Sequence, residues 1–133
     1  WRDLKDKAHD ILDYMGLSQV ENIKAGSLPY GYQRLLGVAV TLAVEPAMIL
    51  LDEPVTGMNN EETKMMVSKV AGFREKGITI LLVEHHMRVV MSVCDRIYVL
   101  NFGEKMAEGP PEEICKNEDV IKAYLGAQYA SRN

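Results

Sequence analysis

The order of apolar and polar residues along the chain predicts three long helices. Residues 3–17 carry apolar side chains at helical spacing, and Gly16 is placed to end that helix. Residues 31–45 repeat the spacing and stop before Pro46, because the residue preceding a proline is pushed out of the helical region. The segment 61–76 predicts a third helix, whose first turn holds two acids where the positive end of a helix favours them.

Short apolar runs between these helices predict strands. Residues 47–51 are all apolar and lead into Asp52-Glu53-Pro54, and the run 78–83 leads into Glu84-His85-His86. Such continuous runs are typical of strands buried on both faces of a parallel sheet. Further along, the pattern predicts a helix at 87–94, a strand at 96–100, a hairpin turn into 105–108 and two short helices after Pro110.

Strands that alternate with helices in this way predict an α/β fold with a mostly parallel sheet. In such sheets the functional residues collect beyond the carboxyl ends of the strands. We therefore expect the two acids after the first apolar run and the Glu84-His85 pair after the second to point to the same edge of the sheet.

Composition and charge narrow the range of functions. The 133 residues, 47% of them hydrophobic and 26% charged, are typical of one soluble globular domain. A net charge of −4 argues against a nucleic-acid binder with a broad basic face. No run reaches the roughly 18 apolar residues that a membrane span requires.

Two further features concern the setting of the chain. Cys94 and Cys115 lack the spacing of a disulfide framework or a metal site, which favours a reducing, cytoplasmic environment. The chain begins with Trp1 and carries no basic-then-apolar leader, so we expect it to be an excised or processed piece of a longer protein.

The acids that follow the first apolar run form the pattern of a Walker B motif. Asp52 can hold Mg²⁺, and Glu53 can polarise a water for attack on a phosphoryl group. An apolar run followed by Asp-Glu is nevertheless common, and two solvated acids at a strand end are the alternative. This motif alone leaves both interpretations open.

Three more motifs accompany this one in a fixed order. The segment 28–34, Leu-Pro-Tyr-Gly-Tyr-Gln-Arg, precedes the first strand; the segment 56–59, Thr-Gly-Met-Asn, follows it; and His85 follows the second strand. Their order and spacing resemble the ABC-transporter ATPases, with the signature motif, the Walker B motif, the D-loop and the switch histidine in turn. The resemblance covers nearly the whole chain and implies a partial P-loop NTPase (ABC ATPase) fold with flanking helices and a helical-subdomain remnant.

The resemblance implies a role for each motif. Asp52 would hold Mg²⁺, usually through water, and Glu53 would act as the general base or orient the attacking water. His85 would hydrogen-bond the γ-phosphate of ATP. The residues that the signature and the D-loop would bring to the nucleotide are Leu28, Pro29, Tyr30, Gly31, Tyr32, Gln33 and Asn59.

The sequence departs from the family pattern at three of these positions. Pro29 stands where the signature serine would offer a hydroxyl, Tyr32 where glutamine or glutamate is usual, and Asn59 where the D-loop has an aspartate. Gly31 opens a helix, and in the family that helix end faces the ATP held by the other subunit of a head-to-tail dimer. Contacts there would rest on backbone N–H groups, which favour phosphate, and on Tyr30 or Gln33.

Details of the motifs resemble one branch of the family. Tyr30-Gly31, Glu84-His85, the segment 95–101 and the segment 120–126 look like the ATP-binding subunits of branched-chain amino-acid importers. This likeness implies ATP and Mg²⁺ as cofactors, and a second ATP-binding subunit and transmembrane permease subunits as partners. It also implies no nucleic acid, and a cytoplasmic position at the inner face of the membrane.

The chain has no Gly-x-x-x-x-Gly-Lys-Ser/Thr loop, which would bind the β- and γ-phosphates. We therefore expect the C-terminal half of an ATPase domain that alone binds nucleotide poorly and is inactive. Its expected parts are 1–45, ending in the signature helix; 46–109, from Walker B to the switch; and 110–133, the C-terminal helices. A sheet without its Walker A strand exposes an apolar edge, which predicts self-association.

Two alternatives remain open. The chain could be a non-catalytic interaction module that pairs with a complete ABC ATPase and offers its signature helix to that partner's ATP. An ABC-type ATPase of DNA repair or chromosome maintenance shares the same motifs, but the importer-like ending and the lack of insertions disfavour it.

Overall fold

The computed structural model describes residues 2–125. They fall into two compact units, which meet along the chain between Val83 and Glu84. The predicted C-terminal segment 110–133 therefore lies in part outside the described residues, as does Trp1.

The first unit contains three helices, α1 (Arg2–Met15), α2 (Tyr30–Leu42) and α3 (Asn60–Glu75). Each begins one residue before its predicted start. The predicted loop between α1 and α2 holds two short 3-10 turns, Ser18–Val20 and Ala25–Ser27. The helices are held in place by α1 packing on α2 and by α2 contacting α3.

The two predicted apolar strands pair in parallel. Strand β1 (Met48–Asp52) lies beside β2 (Thr79–Val83), and the last residues of the two strands are in register. This pairing confirms the expectation that both strands end at the same edge of a parallel sheet.

The prediction that these strands are buried on both faces is wrong. Ile49 and Leu51 of β1 are buried, whereas Leu50 between them is 70% exposed, and Val83 on β2 is 57% exposed. Successive side chains of a strand point to opposite faces, so a helix layer on one side covers only alternate residues. The other face of this sheet is uncovered by the residues that the structure describes.

The core of the first unit lies where the helices meet the covered face of the sheet. Tyr14 of α1 and Phe73 of α3 have ring centroids 5.9 Å apart. The most deeply buried side chains of this unit are Met15, Leu17, Leu35, Met66 and Phe73. They come from α1, the loop after it, α2 and α3, so this core joins the three helices.

The second unit is built around a hairpin. Its elements are α4 (Met87–Val93), β3 (Ile97–Asn101), β4 (Glu104–Gly109), α5 (Pro111–Ile114), α6 (Glu118–Val120) and a π-helical turn at Ile121–Leu125. The third predicted strand therefore pairs with β4 in an antiparallel hairpin and does not extend the parallel sheet. The two-residue turn, Phe102 at φ +48° and Gly103 at φ +82°, has the left-handed backbone that tight hairpins favour.

This second unit closes its own core. The buried cluster consists of Met87, Val90, Ile97, Val99, Ile114 and Val120. At the hairpin surface, Glu108 pairs with both Arg96 and Lys105. Within the described part of the chain, no helix is long and apolar enough to cross a membrane.

Candidate functional site

The predicted Walker B acids lie at the carboxyl end of β1. Asp52 is the last residue of the strand, is aligned with Val83 of β2, and is exposed. Glu53 continues the pairing by one bond, its N–H donating to the Val83 carbonyl at 2.9 Å. There the chain turns, because Glu53 has φ +44°, in the left-handed region. The two carboxylates are therefore placed at the strand edge that the sequence predicted.

Further hydrogen bonds hold the Glu53 backbone and side chain. Its carboxylate accepts from the Thr56 hydroxyl at 3.2 Å. Its carbonyl accepts from the Thr56 N–H at 3.2 Å and from Arg34 Nη2, on α2, at 2.9 Å. The sequence predicts no role for Arg34 beyond its place at the end of the signature segment. No local pattern points to it, since its partner lies 19 residues away.

A side-chain hydrogen bond closes the first turn of the signature helix. Leu28 is buried, and its carbonyl accepts a hydrogen bond from Gln33 Nε2 at 2.8 Å. Pro29 occupies the N-cap position, where it provides no side-chain hydrogen bond. The Gln33 amide is therefore used to close the first turn, and the cap offers no hydroxyl to a ligand.

Two glycines allow close approach at this end of α2. Gly31 is buried, and a Cβ placed there would overlap the carboxyl group of Glu62 on α3. At Gly57, which has φ +80°, a Cβ would lie 3.0 Å from the Tyr30 ring. Tyr30 is 51% exposed and so presents an aromatic face beside the helix N-terminus. Tyr32, in the same turn, is half-buried.

The D-loop asparagine caps the next helix. The side-chain oxygen of Asn59 accepts from the N–H groups of Glu61 at 2.9 Å and Glu62 at 3.0 Å. Glu62 returns a bond, its carboxylate accepting from the Asn59 N–H at 2.9 Å. This is a capping box, and the Asn-x-x-Glu spacing in the sequence was the signal that could have revealed it. Glu62, one of the two acids that the sequence places in the first turn of α3, thus links the D-loop to the signature helix.

The switch histidine lies in the second unit. The side chain of His85 is 65% exposed, and its Nδ1 is 3.7 Å from a carboxylate oxygen of Glu84. The Glu84 side chain is completely buried. Its Oε2 accepts from the backbone N–H groups of His85 at 2.8 Å and His86 at 2.9 Å. Glu84 therefore fixes the backbone on which His85 is carried.

Most of the predicted site residues come together in the first unit. The Walker B acids, the signature turn and the D-loop are linked there by side chains of Arg34, Tyr30 and Glu62. The structure shows no group of three or more His, Cys, Asp or Glu side chains in residues 2–125 that could enclose a metal. Asp52 is instead an exposed single carboxylate, which suits Mg²⁺, a cation that keeps several of its waters.

Comparisons with known proteins show similarity to ATP-binding proteins of transport systems. The profile of the family described as branched-chain amino acid ATP-binding cassette transporter matches residues 104–130. The chain is 46% identical over 122 residues to the high-affinity branched-chain amino acid transport ATP-binding protein LivG of Salmonella typhimurium, covering 91% of this chain and 48% of LivG. It is 43% identical to BraF of Pseudomonas aeruginosa, covering 94% of this chain and 49% of BraF.

A solved structure gives the same fold. The ADP conformation of MJ1267, an ATP-binding cassette of an ABC transporter, superposes with a TM-score of 0.82 at 30% identity, covering 93% of this chain and 50% of that one. The predicted α/β fold class and the resemblance to ABC ATPases are thereby confirmed. The chain spans about half the length of the relatives that it matches.

Proposed function

Since this chain is related in sequence and fold to the ATP-binding proteins of branched-chain amino-acid transport, we propose that it forms part of a subunit that couples ATP hydrolysis to the import of branched-chain amino acids. The observation that carries the proposal is the Asp52-Glu53 pair at the carboxyl end of β1, joined to the signature helix by Arg34. A strand end of this kind, next to a helix N-terminus, suits phosphoryl transfer.

Asp52 and Glu53 have different roles in the proposed ATP hydrolysis. Asp52 is an exposed carboxylate at a strand end, so it is the residue that would hold Mg²⁺. The ion, when bound, neutralises charge on the phosphates. Glu53 orients the attacking water and accepts its proton, which requires its carboxylate to lie within hydrogen-bond reach of that water. The Thr56 hydroxyl, which bonds this carboxylate, limits its rotation.

The signature turn addresses a nucleotide through its backbone. The first N–H groups of α2 have no partner within the helix, and the positive end of the helix dipole favours phosphate. With proline at the N-cap and the Gln33 amide bonded to a carbonyl, the polar side chains that remain are those of Tyr30 and Tyr32. We assign this turn, and the D-loop at Asn59, to the ATP held by a second ATP-binding subunit.

His85 contacts the γ-phosphate and reports its presence. Its exposed ring is available to a ligand, and the backbone beneath it is fixed by the buried Glu84 carboxylate. A histidine held in this way changes its hydrogen bonding when phosphate is present without requiring the strand to move.

The assembly follows from the same proposal. The subunit pairs with a second ATP-binding subunit and docks on transmembrane permease subunits, peripheral to the cytoplasmic face of the membrane. Residues 1–45 belong to the helical subdomain, 46–109 to the ATPase core and 110–133 to the C-terminal helices. The uncovered face of the β1–β2 sheet, with Leu50 and Val83 exposed, favours self-association of the 133-residue chain when it is alone.

A non-catalytic role is the second candidate. It is favoured by the use of Asn59, the D-loop residue, as a helix cap. In that case the chain would lend its signature turn to the ATP of a complete ATPase. The reading frame upstream of Trp1 separates the two: a Walker A loop within one domain's length supports the catalytic role, and a start codon next to Trp1 supports the module.

Calorimetry with ATP and Mg²⁺ tests the proposed function. The protein from the complete reading frame should bind ATP with micromolar affinity, and Asp52→Asn should lose the Mg²⁺-dependent part of that affinity. Asp10→Asn, an exposed acid on α1, is the matched control and should bind as the unmodified protein does. The 133-residue chain alone should show no measurable affinity. Equal affinity in the Asp52 variant and the control would contradict the role of Asp52.

A further inference from the structure

We propose that Arg34 is a positioning residue for Glu53, through which the signature helix sets the direction of the Glu53 carboxylate. The inference rests on the proposed function and adds to it a residue with no role in the sequence analysis. Its basis is the hydrogen bond from Arg34 Nη2 to the Glu53 carbonyl, 2.9 Å long, which joins α2 to the end of β1.

The backbone conformation of Glu53 is one that requires stabilising contacts such as this hydrogen bond. A non-glycine residue with a positive φ is strained, at a cost of about 1 kcal/mol, and persists only where its surroundings hold it. The peptide is held on one side by the Glu53 N–H bond to Val83 and on the other by the bonds to its carbonyl. Since rotation about φ swings the side chain, the donor to that carbonyl fixes where the carboxylate points.

Arg34 is itself held by the signature turn. Its guanidinium carbon lies 5.6 Å from the centre of the Tyr30 ring, within cation–π range. That ring in turn lies against Gly57 of the D-loop. The planar guanidinium suits both partners at once, because it stacks on a ring with its face and donates in its plane.

This arrangement couples nucleotide binding at the N-terminus of α2 to the hydrolysis step at Glu53. A phosphate bound at the N-terminus of α2 presses on the turn that carries Tyr30, one helical turn before Arg34. Any shift of that turn is passed by the guanidinium to the Glu53 carbonyl. The Glu53 carboxylate is thereby directed at its water only when the signature helix is in its nucleotide-bound position.

The test uses Arg34→Met and Arg34→Lys in the protein expressed from the complete reading frame. Arg34→Met should lower kcat for ATP hydrolysis about tenfold and leave KM within twofold, because a misdirected base slows chemistry without weakening binding. Arg34→Lys, which keeps one donor, should recover part of kcat. Thr41→Val is the control: it removes a side-chain bond to a carbonyl on the same helix, away from Glu53.

Hydrogen exchange at the Thr56 amide, which donates to the Glu53 carbonyl, provides a readout that needs no activity. It should accelerate about tenfold in Arg34→Met and not in Thr41→Val. Unchanged kcat and unchanged exchange in Arg34→Met would overturn the inference, and so would equal losses in Arg34→Met and Thr41→Val. If the unmodified protein does not hydrolyse ATP, the proposed function fails, while the exchange rates still decide the role of Arg34. Should Arg34→Met not fold, Arg34→Lys decides by the same two readouts.

Discussion

The two junctions that follow β1 and β2 share one sequence pattern, an apolar run followed by an acid, but the acids have different surroundings. After β1, the apolar run is followed by Asp52 and Glu53; after β2, it is followed by Glu84 and His85. At the first junction both acids retain exposed surface, and the backbone of the second is strained and supported. At the second junction the acid is completely buried and bonds two successive backbone N–H groups.

The difference separates an acid that is available for chemistry from an acid that builds a turn. A carboxylate that accepts backbone bonds in the protein interior is costly to replace and cannot approach a substrate. Glu53 is half-buried and its carboxylate accepts a hydrogen bond from the Thr56 hydroxyl, which fits the proposed role of general base. Glu84 builds the turn that carries His85.

The largest expected effect is that of Glu53→Gln on ATP hydrolysis. Removing a general base typically costs about a thousandfold in rate, so hydrolysis should fall by that order while ATP binding remains. Steady-state phosphate release and equilibrium ATP binding are the measurements. Glu61→Gln, an exposed acid on α3, is the control. Hydrolysis by Glu53→Gln at the control's rate would contradict the role of Glu53 as general base.

Glu84→Ala should have the next largest effect, and on stability. It removes a completely buried side chain and the acceptor of two backbone N–H groups, which should lower the free energy of unfolding by about 2 kcal/mol. Urea unfolding measures the loss, and Glu84→Gln should lose less because it keeps an acceptor. Glu112→Ala, exposed on α5, is the control. If Glu84→Ala is as stable as this control, the two junctions do not differ as described.

The smallest effect concerns a third acid, Glu108, on the hairpin. Hydrogen bonds from Lys105 and then Arg96 lower the pKa of Glu108 from 4.5 to about 2. Because the folded pKa is depressed, the stabilisation is complete above about pH 4.5 and is lost as the pH falls toward 2. The effect is small because these side chains lie at the surface.

Unfolding by urea at several values between pH 5 and pH 2 checks this prediction. Glu108→Gln should reduce the fall in the free energy of unfolding between pH 5 and pH 2. It should not change the loss of stability that Glu84→Ala causes at neutral pH. A profile of Glu108→Gln that is superimposable on that of the unmodified protein would show that the ion pairs do not contribute.

Local pattern was enough to predict most of the secondary structure. The starts of α1, α2 and α3, the two apolar strands and the hairpin follow from periodicity, glycines and proline, which act within a few residues. The exposure of Leu50 and Val83 could not be predicted, because a continuous apolar run does not say how many layers cover it. The pairing of β3 with β4 followed from the turn at Phe102 and Gly103.

The candidate site was predicted as a set of motifs, without the contacts that join them. Asp52, Glu53 and His85 were predicted because motifs of the resembled family mark them in the sequence. Arg34 and Glu84 were given no role, since the partner of the first is remote in sequence and the burial of the second depends on tertiary packing. The contacts that hold a site in place depend on which residues are close in the folded structure, and the sequence alone does not give this.

We propose that the signature helix of one subunit faces ATP held by another. Sedimentation of the Glu53→Gln protein, expressed from the complete reading frame, tests this pairing because the ATP is not consumed. We predict that the mass doubles when ATP is added and returns to that of one subunit when ATP is removed. A protein that binds ATP and keeps the mass of a single subunit would contradict the claim.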